Sequence, residues 1–215
     1  MDNLFTYKNT TIRYRSVGKG AVVVLLHGFL EDLTMWDTIT PILSKRNRII
    51  TIDLLGHGKS ENLGYIHTME EQAEMVKALL KHLKLRKYTF IGHSMGGYIS
   101  LAFAEIYPDS VKGICLMNST AEADTKEKKI NRDRAIKAVK HNHKIFVKMS
   151  IPNLFSEENR TNFKDEIDKL TNSALRLSVQ SIVASLEGMK IRKNHLNLFK
   201  NGNFKKLMVI GKNDP

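Results

Sequence analysis

The chain has a single cysteine, Cys115, in 215 residues. One thiol cannot close an internal disulfide, so the fold must rest on a hydrophobic core, which a chain of this length can bury. Cys115 lies in the apolar run Val111 to Met117, where a small buried strand residue is the plain reading. No apolar run approaches the ~18 residues of a membrane helix. Met1-Asp2-Asn3-Leu4-Phe5 has no basic stretch leading into an apolar one. A cytoplasmic protein with no membrane partner is expected.

Acid is also scarce: 22 Asp and Glu face 34 Lys and Arg, for a net charge of +12. The deficit is uneven, with 14 basic against 11 acidic residues in 1–120 and 19 against 10 in 121–206. The basic residues are spaced as on helix surfaces, without interleaved aromatics. That pattern predicts a solvated basic helical block, and no nucleic-acid partner is expected. The chain lacks Gly-x-Gly-x-x-Gly, and Gly56-His57-Gly58-Lys59-Ser60 lacks the first glycine of a phosphate loop. His141 and His143 have no acidic or cysteine neighbour in sequence. No metal and no other cofactor is expected.

What the sequence does contain is an ordered alternation. Residues 4–7 and 11–17 alternate as half-buried strands around a Lys8-Asn9 turn. Ala21 to Leu26 and Arg48 to Asp53 are aliphatic runs suited to strands buried on both faces. A helix is expected from Thr34 to Leu43. Another should start at Thr68, with Glu71 at capping-box spacing and Met69, Ala73, Val76, Leu79, Leu80 and Leu83 at helical period. A strand from Tyr88 and a helix ending before Pro108 follow, then the strand Val111 to Met117. This predicts an α/β fold, a doubly wound and mostly parallel sheet. Residues 1–120 form the first part of its core. Residues 121–203 read as a helical lid or cap insertion, with helices near 124–140, 144–149, 157–170 and 172–186. Residues 204–215 resume the sheet.

The special turns fall at strand C-termini, where such sheets bind ligands. They are His27-Gly28, Gly56-His57-Gly58 and Gly92-His93-Ser94-Met95-Gly96. In the last, a serine flanked by glycines two residues away stands between a strand and a helix. That context makes Ser94 a candidate nucleophile on a strained turn. His93 should point away into the packing of that turn. Phe146, Met149, Ile151, Leu154 and Phe155 are the insertion's most apolar cluster, and Phe146 and Leu154 are candidate pocket residues. Trp36 is either another pocket residue or a core residue on a helix face with Ile39 and Leu43.

Four segments in order carry a family resemblance: Leu26-His27-Gly28-Phe29, Asp53 to Ser60, Gly92 to Gly97, and Val209-Ile210-Gly211-Lys212-Asn213-Asp214. The chain resembles the α/β-hydrolases across its length. Its insertion start, Asn118 to Asp124 with Asn131-Arg132-Asp133, resembles small bacterial esterases and enol-lactonase-like hydrolases. The resemblance implies an acyl-enzyme on Ser94 and an oxyanion held by the backbone N–H groups of Met95 and Phe29, with Asp214 as the acid that orients a histidine base. The implied substrate is a small or medium carboxylic ester or lactone. The family's base follows the acid in chain order, and only Pro215 follows Asp214. His27 and His57 read as structural, and His195 or another histidine of the insertion is a weak substitute. The expectation is therefore a C-terminally incomplete hydrolase, without the last strand, the histidine and the final helix. Self-association or completion by a missing C-terminal segment would follow. A lyase or C–C bond hydrolase on the same fold, or a non-catalytic ligand-binding protein, are the alternatives.

Overall fold

A computed structural model describes residues 1–212 and 214; Asn213 of the fourth motif, and Pro215, lie outside the described residues. Seven strands form one sheet: β1 Asn3–Tyr7, β2 Thr10–Val17, β3 Ala21–Leu26, β4 Asn47–Ile52, β5 Tyr88–His93, β6 Val111–Met117 and β7 Lys205–Val209. Their spatial order is β1-β2-β4-β3-β5-β6-β7. The pairs β1/β2 and β2/β4 are antiparallel and the other four are parallel. The mostly parallel sheet is the one expected. Lys8 and Asn9 both adopt positive φ, 47° and 62°, as a two-residue hairpin turn requires.

The helices are α1 Thr40–Leu43, α2 Met69–His82, α3 Met95–Ile106, α4 Lys126–Ser150, α5 Lys164–Ala174, α6 Val179–Lys190 and α7 Leu196–Asn201. The Thr68 hydroxyl accepts the Glu71 N–H at 3.0 Å, so the expected cap of α2 is formed. Met69, Ala73, Val76, Leu79 and Leu80 are buried beneath it.

Several expected helices differ. The stretch 34–43 splits into a 3-10 turn, Leu33–Trp36, and the short α1. Pro41 is the cause: inside a continuous helix it would remove a hydrogen bond and clash with the preceding turn, but it fits the first turn of α1. The break expected near 171 falls at 175–178, because Ser178 caps α6 by accepting the Ser181 N–H at 3.0 Å. The break expected between 140 and 144 is a kink. Asn142 leaves helical geometry (φ −157°, ψ 92°) and its side chain accepts the Ile145 N–H as an internal cap.

Strand alternation sends β3 side chains to two cores. Val24 and Leu26 join the large cluster under α2 and α3, which continues into α4 and α6. Val23 and Leu25 join a smaller cluster with Trp36 and Ile49, covered by Met35, Ile39 and Leu43. Each such fully buried aliphatic side chain contributes about 1.5–3 kcal/mol. β7 is the edge of the sheet, and its residues, Leu207, Met208 and Val209 among them, are all exposed. Helices α4 to α7 occupy the interval between β6 and β7, and α4 and α6 share a cavity with the Ser94 turn. Among the described residues, no helix is long and apolar enough to cross a membrane.

Candidate active site

Ser94 is the single residue between β5 and α3, and its backbone sits at φ 47°, ψ −112°. A non-glycine residue held there carries about 1–3 kcal/mol of strain. The reversal requires contact that only glycine permits. A Cβ on Gly96 would collide with the carbonyl oxygen of Leu26, and one on Gly92 with the backbone of Gly96. Three hydrogen bonds hold the strained residue. Its N–H donates to Met117 O at 3.0 Å, and its carbonyl accepts from Gly97 N–H at 2.9 Å and from Ser119 Oγ at 2.8 Å. Met95 is the first residue of α3, so its N–H is one of the helix's N-terminal donors without an intrahelical partner.

A cavity of about 370 Å3 opens over this turn. Its floor comprises Phe29, Leu30 and Glu31 from the loop after β3, together with His93 and Ser94. Glu31 is 7% exposed, and one of its oxygens, Oε2, accepts twice, from Gly28 N–H at 2.6 Å and from His93 Nδ1 at 2.8 Å. Burial works against a charged His93 ring. The hydrogen bond and charge of Glu31, with the charge of Asp214 beyond, outweigh burial and raise the His93 pKa above its ordinary value. The expectation that His93 points away from the site is thus overturned. Along β5, residues 88, 90 and 92 face the large core, so position 93 falls on the opposite side, beside the Glu31 loop.

Below the floor, His27 donates through Nδ1 to Gly28 O (2.7 Å) and accepts the Leu54 N–H on Nε2 (3.0 Å). It clamps the loop carrying Phe29 to the loop after β4. His57 is fully buried against His27, and burial chiefly, then the charge of His27, pushes its pKa down to about 3. Of the other expected residues, Phe146 and Leu154 line the cavity. Trp36 does not. It is 2% exposed in the smaller core with Val23, Leu25 and Ile49, because the 3-10 turn that carries it packs against the outer face of β3 and β4. Asp214 follows β7 in an exposed turn closed by its own N–H to Gly211 O (3.2 Å). Asn118 braces that turn, accepting the Gly211 N–H and donating its own N–H to Val209 O. Among the described residues, the Ser94 hydroxyl has no hydrogen-bond partner, and His93 is the histidine that lines the cavity. His195 lies against Glu105 of α3, 3.6 Å away, and is not in the lining.

Residues 21–139 match the profile of the alpha/beta hydrolase fold, more than half of the chain. The chain belongs to the alpha/beta hydrolase fold family. Among solved structures, this hydrolase-fold chain is similar to a thermophilic esterase from Thermogutta terrifontis with malate bound. Identity is 29%, the TM-score is 0.91, and the match covers 99% of this chain and 80% of that one. The enol-lactonase of Burkholderia xenovorans LB400 shares the fold, at 22% identity, a TM-score of 0.89, and coverage of 98% and 81%. The dihydrolipoyllysine-residue acetyltransferase component of the acetoin cleaving system of Pseudomonas putida is 41% identical over 100 residues, 46% of this chain and 27% of that protein. The matches span 27 to 31% of the length of the first curated relatives.

Several lining residues of the hydrolase-fold site were not picked out in the sequence. Lys128, Asn131, Arg132 and Ala135 of α4 line the cavity, as do Leu186 and Met189 of α6. The spacing of the first four, i, i+3, i+4 and i+7, is one helical face and was a readable signal. Glu31 also had one: it is a carboxylate three residues after Gly28, directly following the apolar pair Phe29-Leu30.

Proposed function

We propose that this chain is a serine hydrolase that cleaves a small or medium carboxylic ester or lactone through an acyl-enzyme on Ser94. The observation that carries this reading is the strained Ser94 backbone at the floor of a cavity, directly before the first N–H of α3. Attack of Ser94 Oγ on the acyl carbonyl generates an oxyanion. The N–H of Met95 and the N–H of Phe29 are the donors assigned to it, and each such donor is worth ~3 kcal/mol of barrier. Gly28 is held by the buried Glu31 carboxylate and the neighbouring His27 by its bond to Leu54, so the Phe29 loop is braced before substrate arrives. Asp214 is assigned to orienting a histidine base, as in other serine triads, although among the described residues no histidine hydrogen-bonds to the Ser94 hydroxyl. The 29%-identical relative is an esterase by description, and a hydroxy-dicarboxylate was bound in it. A cavity of about 370 Å3 suits small substrates.

The test is covalent labelling of the complete protein and of its Ser94→Ala variant with a fluorophosphonate, read by intact mass. The expected result is one adduct on the wild type and none on the variant. A folded wild type that takes no label overturns the reading and favours a ligand-binding role without turnover. Labelling without hydrolysis of short p-nitrophenyl esters favours a lyase or C–C bond hydrolase.

A further inference from the structure

The face that α4 turns to the cavity is cationic at one end. Lys128 and Arg132 are one turn apart, with Asn131 between them, and all three line the cavity. Lys128 lies in the first turn of α4, after the Thr125 cap, where a positive charge opposes the helix dipole. Among the described residues its ammonium has no ion-pair partner. Arg132 is not free but is in excess: its Nε donates to Asp124 Oδ2 at 3.0 Å, and Arg192 Nη1 donates to Asp124 Oδ1 at 2.5 Å. One buried carboxylate thus serves two guanidinium groups, and the cluster keeps a net positive charge. Glu31, the acid in the cavity lining, is already paired with His93, whose charged form it favours. Among the described residues, no lining carboxylate therefore balances Lys128 and the Arg132 cluster. The other wall is apolar: Phe146, Leu154, Leu186 and Met189.

We infer that the cavity selects an amphipathic monoanion, an ester or lactone whose chain ends in a free carboxylate. The carboxylate sits against Lys128 and Arg132, and the apolar part lies along Phe146, Leu186 and Met189. Only part of such a substrate is charged, so the apolar wall excludes water from the reacting end while the cations hold the other end in place. This substrate class deepens the Ser94 hydrolase reading and rests on it.

The test uses binding so that it does not depend on turnover. Monobenzyl glutarate and benzyl methyl glutarate differ only in whether the terminal carboxylate is free or capped. Their affinities for the full Ser94→Ala chain are measured by calorimetry, then repeated with Lys128→Gln added and, as a second variant, Lys128→Glu. The expected result is a preference of tenfold or more for the free carboxylate, falling to about twofold with glutamine and inverting with glutamate. Thermal melts establish that each variant is folded. A monoanion that binds no more tightly than the capped ester overturns the inference, as does a preference that Lys128→Glu leaves unmoved. Fluorophosphonate labelling of the wild type separates the two readings. Preference without labelling upholds the anion site against the hydrolase assignment, and labelling without preference does the reverse.

Discussion

Glu31 does more at the candidate site than its place in the sequence suggests. Its carboxylate joins two segments, holding Gly28 of the loop after β3 and His93 at the end of β5. Glu31→Gln keeps an acceptor for Gly28 N–H but removes the charge facing His93. Burial then acts on the ring with only Asp214 opposing it, so the His93 pKa should fall from above 6.5 to below it. A histidine whose folded pKa is raised adds stability that is complete below its unfolded value of 6.5 and is lost as pH rises through the folded value. The stability gap between wild type and Glu31→Gln should therefore be widest below pH 6.5 and shrink above it. Histidine NMR titration with parallel urea unfolding checks both, and an unchanged His93 titration sinks the assignment. Residue identities at this site were unevenly legible. Ser94 could be marked because a strand-turn-helix signal is local, whereas Phe29 and Met95 were expected only from the family resemblance. Trp36 could not be placed, because an apolar residue near the loop satisfies the pocket and the core pattern alike. His93 was misdirected although the alternation of β5 already set its side.

Between elements, a buried ionic cluster joins the helices that lie between β6 and β7 to one another, and its Arg192 also reaches α3. Asp124 precedes α4, Arg132 lies on it and Arg192 follows α6, and Asp124 and Arg192 are 6% and 5% exposed. Arg192 also donates to the carbonyls of Glu122 and Met189 and lies 4.0 Å from the ring centroid of Tyr98 on α3. Removing one partner of a buried pair typically costs 3–5 kcal/mol. Because Arg192 keeps its carbonyl acceptors and the Tyr98 ring, Asp124→Ala should cost about 3 kcal/mol, the lower end of that range. Urea unfolding of the two proteins measures it, and a loss under 1 kcal/mol would show that the cluster does not hold these helices together. Periodicity could announce these helices, and the kink at Asn142 was visible as a gap between two of them. The contacts that orient them were not visible, since Asp124 and Arg192 are 68 residues apart. Helix ends were misjudged where a single residue decides them, Pro41 in one case and Ser178 in the other.

For the molecule as a whole, the class of fold was legible because buried parallel strands read as aliphatic runs, whereas the strand order was not. Placing β4 between β2 and β3 depends on pairings that no local pattern carries. Nor could the sequence tell that three histidines, His27, His57 and His67, are sealed in the interior. His57 and His67 are fully buried, and burial above all holds their pKa values down, to about 3 and about 4. A histidine with a depressed folded pKa is destabilising in acid: below 6.5 the unfolded chain takes up a proton that the folded one refuses. Stability should be complete above pH 6.5 and decline by about 1.4 kcal/mol per pH unit for each histidine, until each folded pKa is reached. The His93–Glu31 pair does not compensate, because its contribution is already complete below 6.5. By pH 5 the two histidines together remove about 4 kcal/mol, a large part of the 5–15 kcal/mol that holds a typical domain folded. Urea unfolding at pH 7 and pH 5 tests this directly. A difference below 1 kcal/mol would mean that His57 and His67 become protonated in the folded state, against the burial the structure gives them.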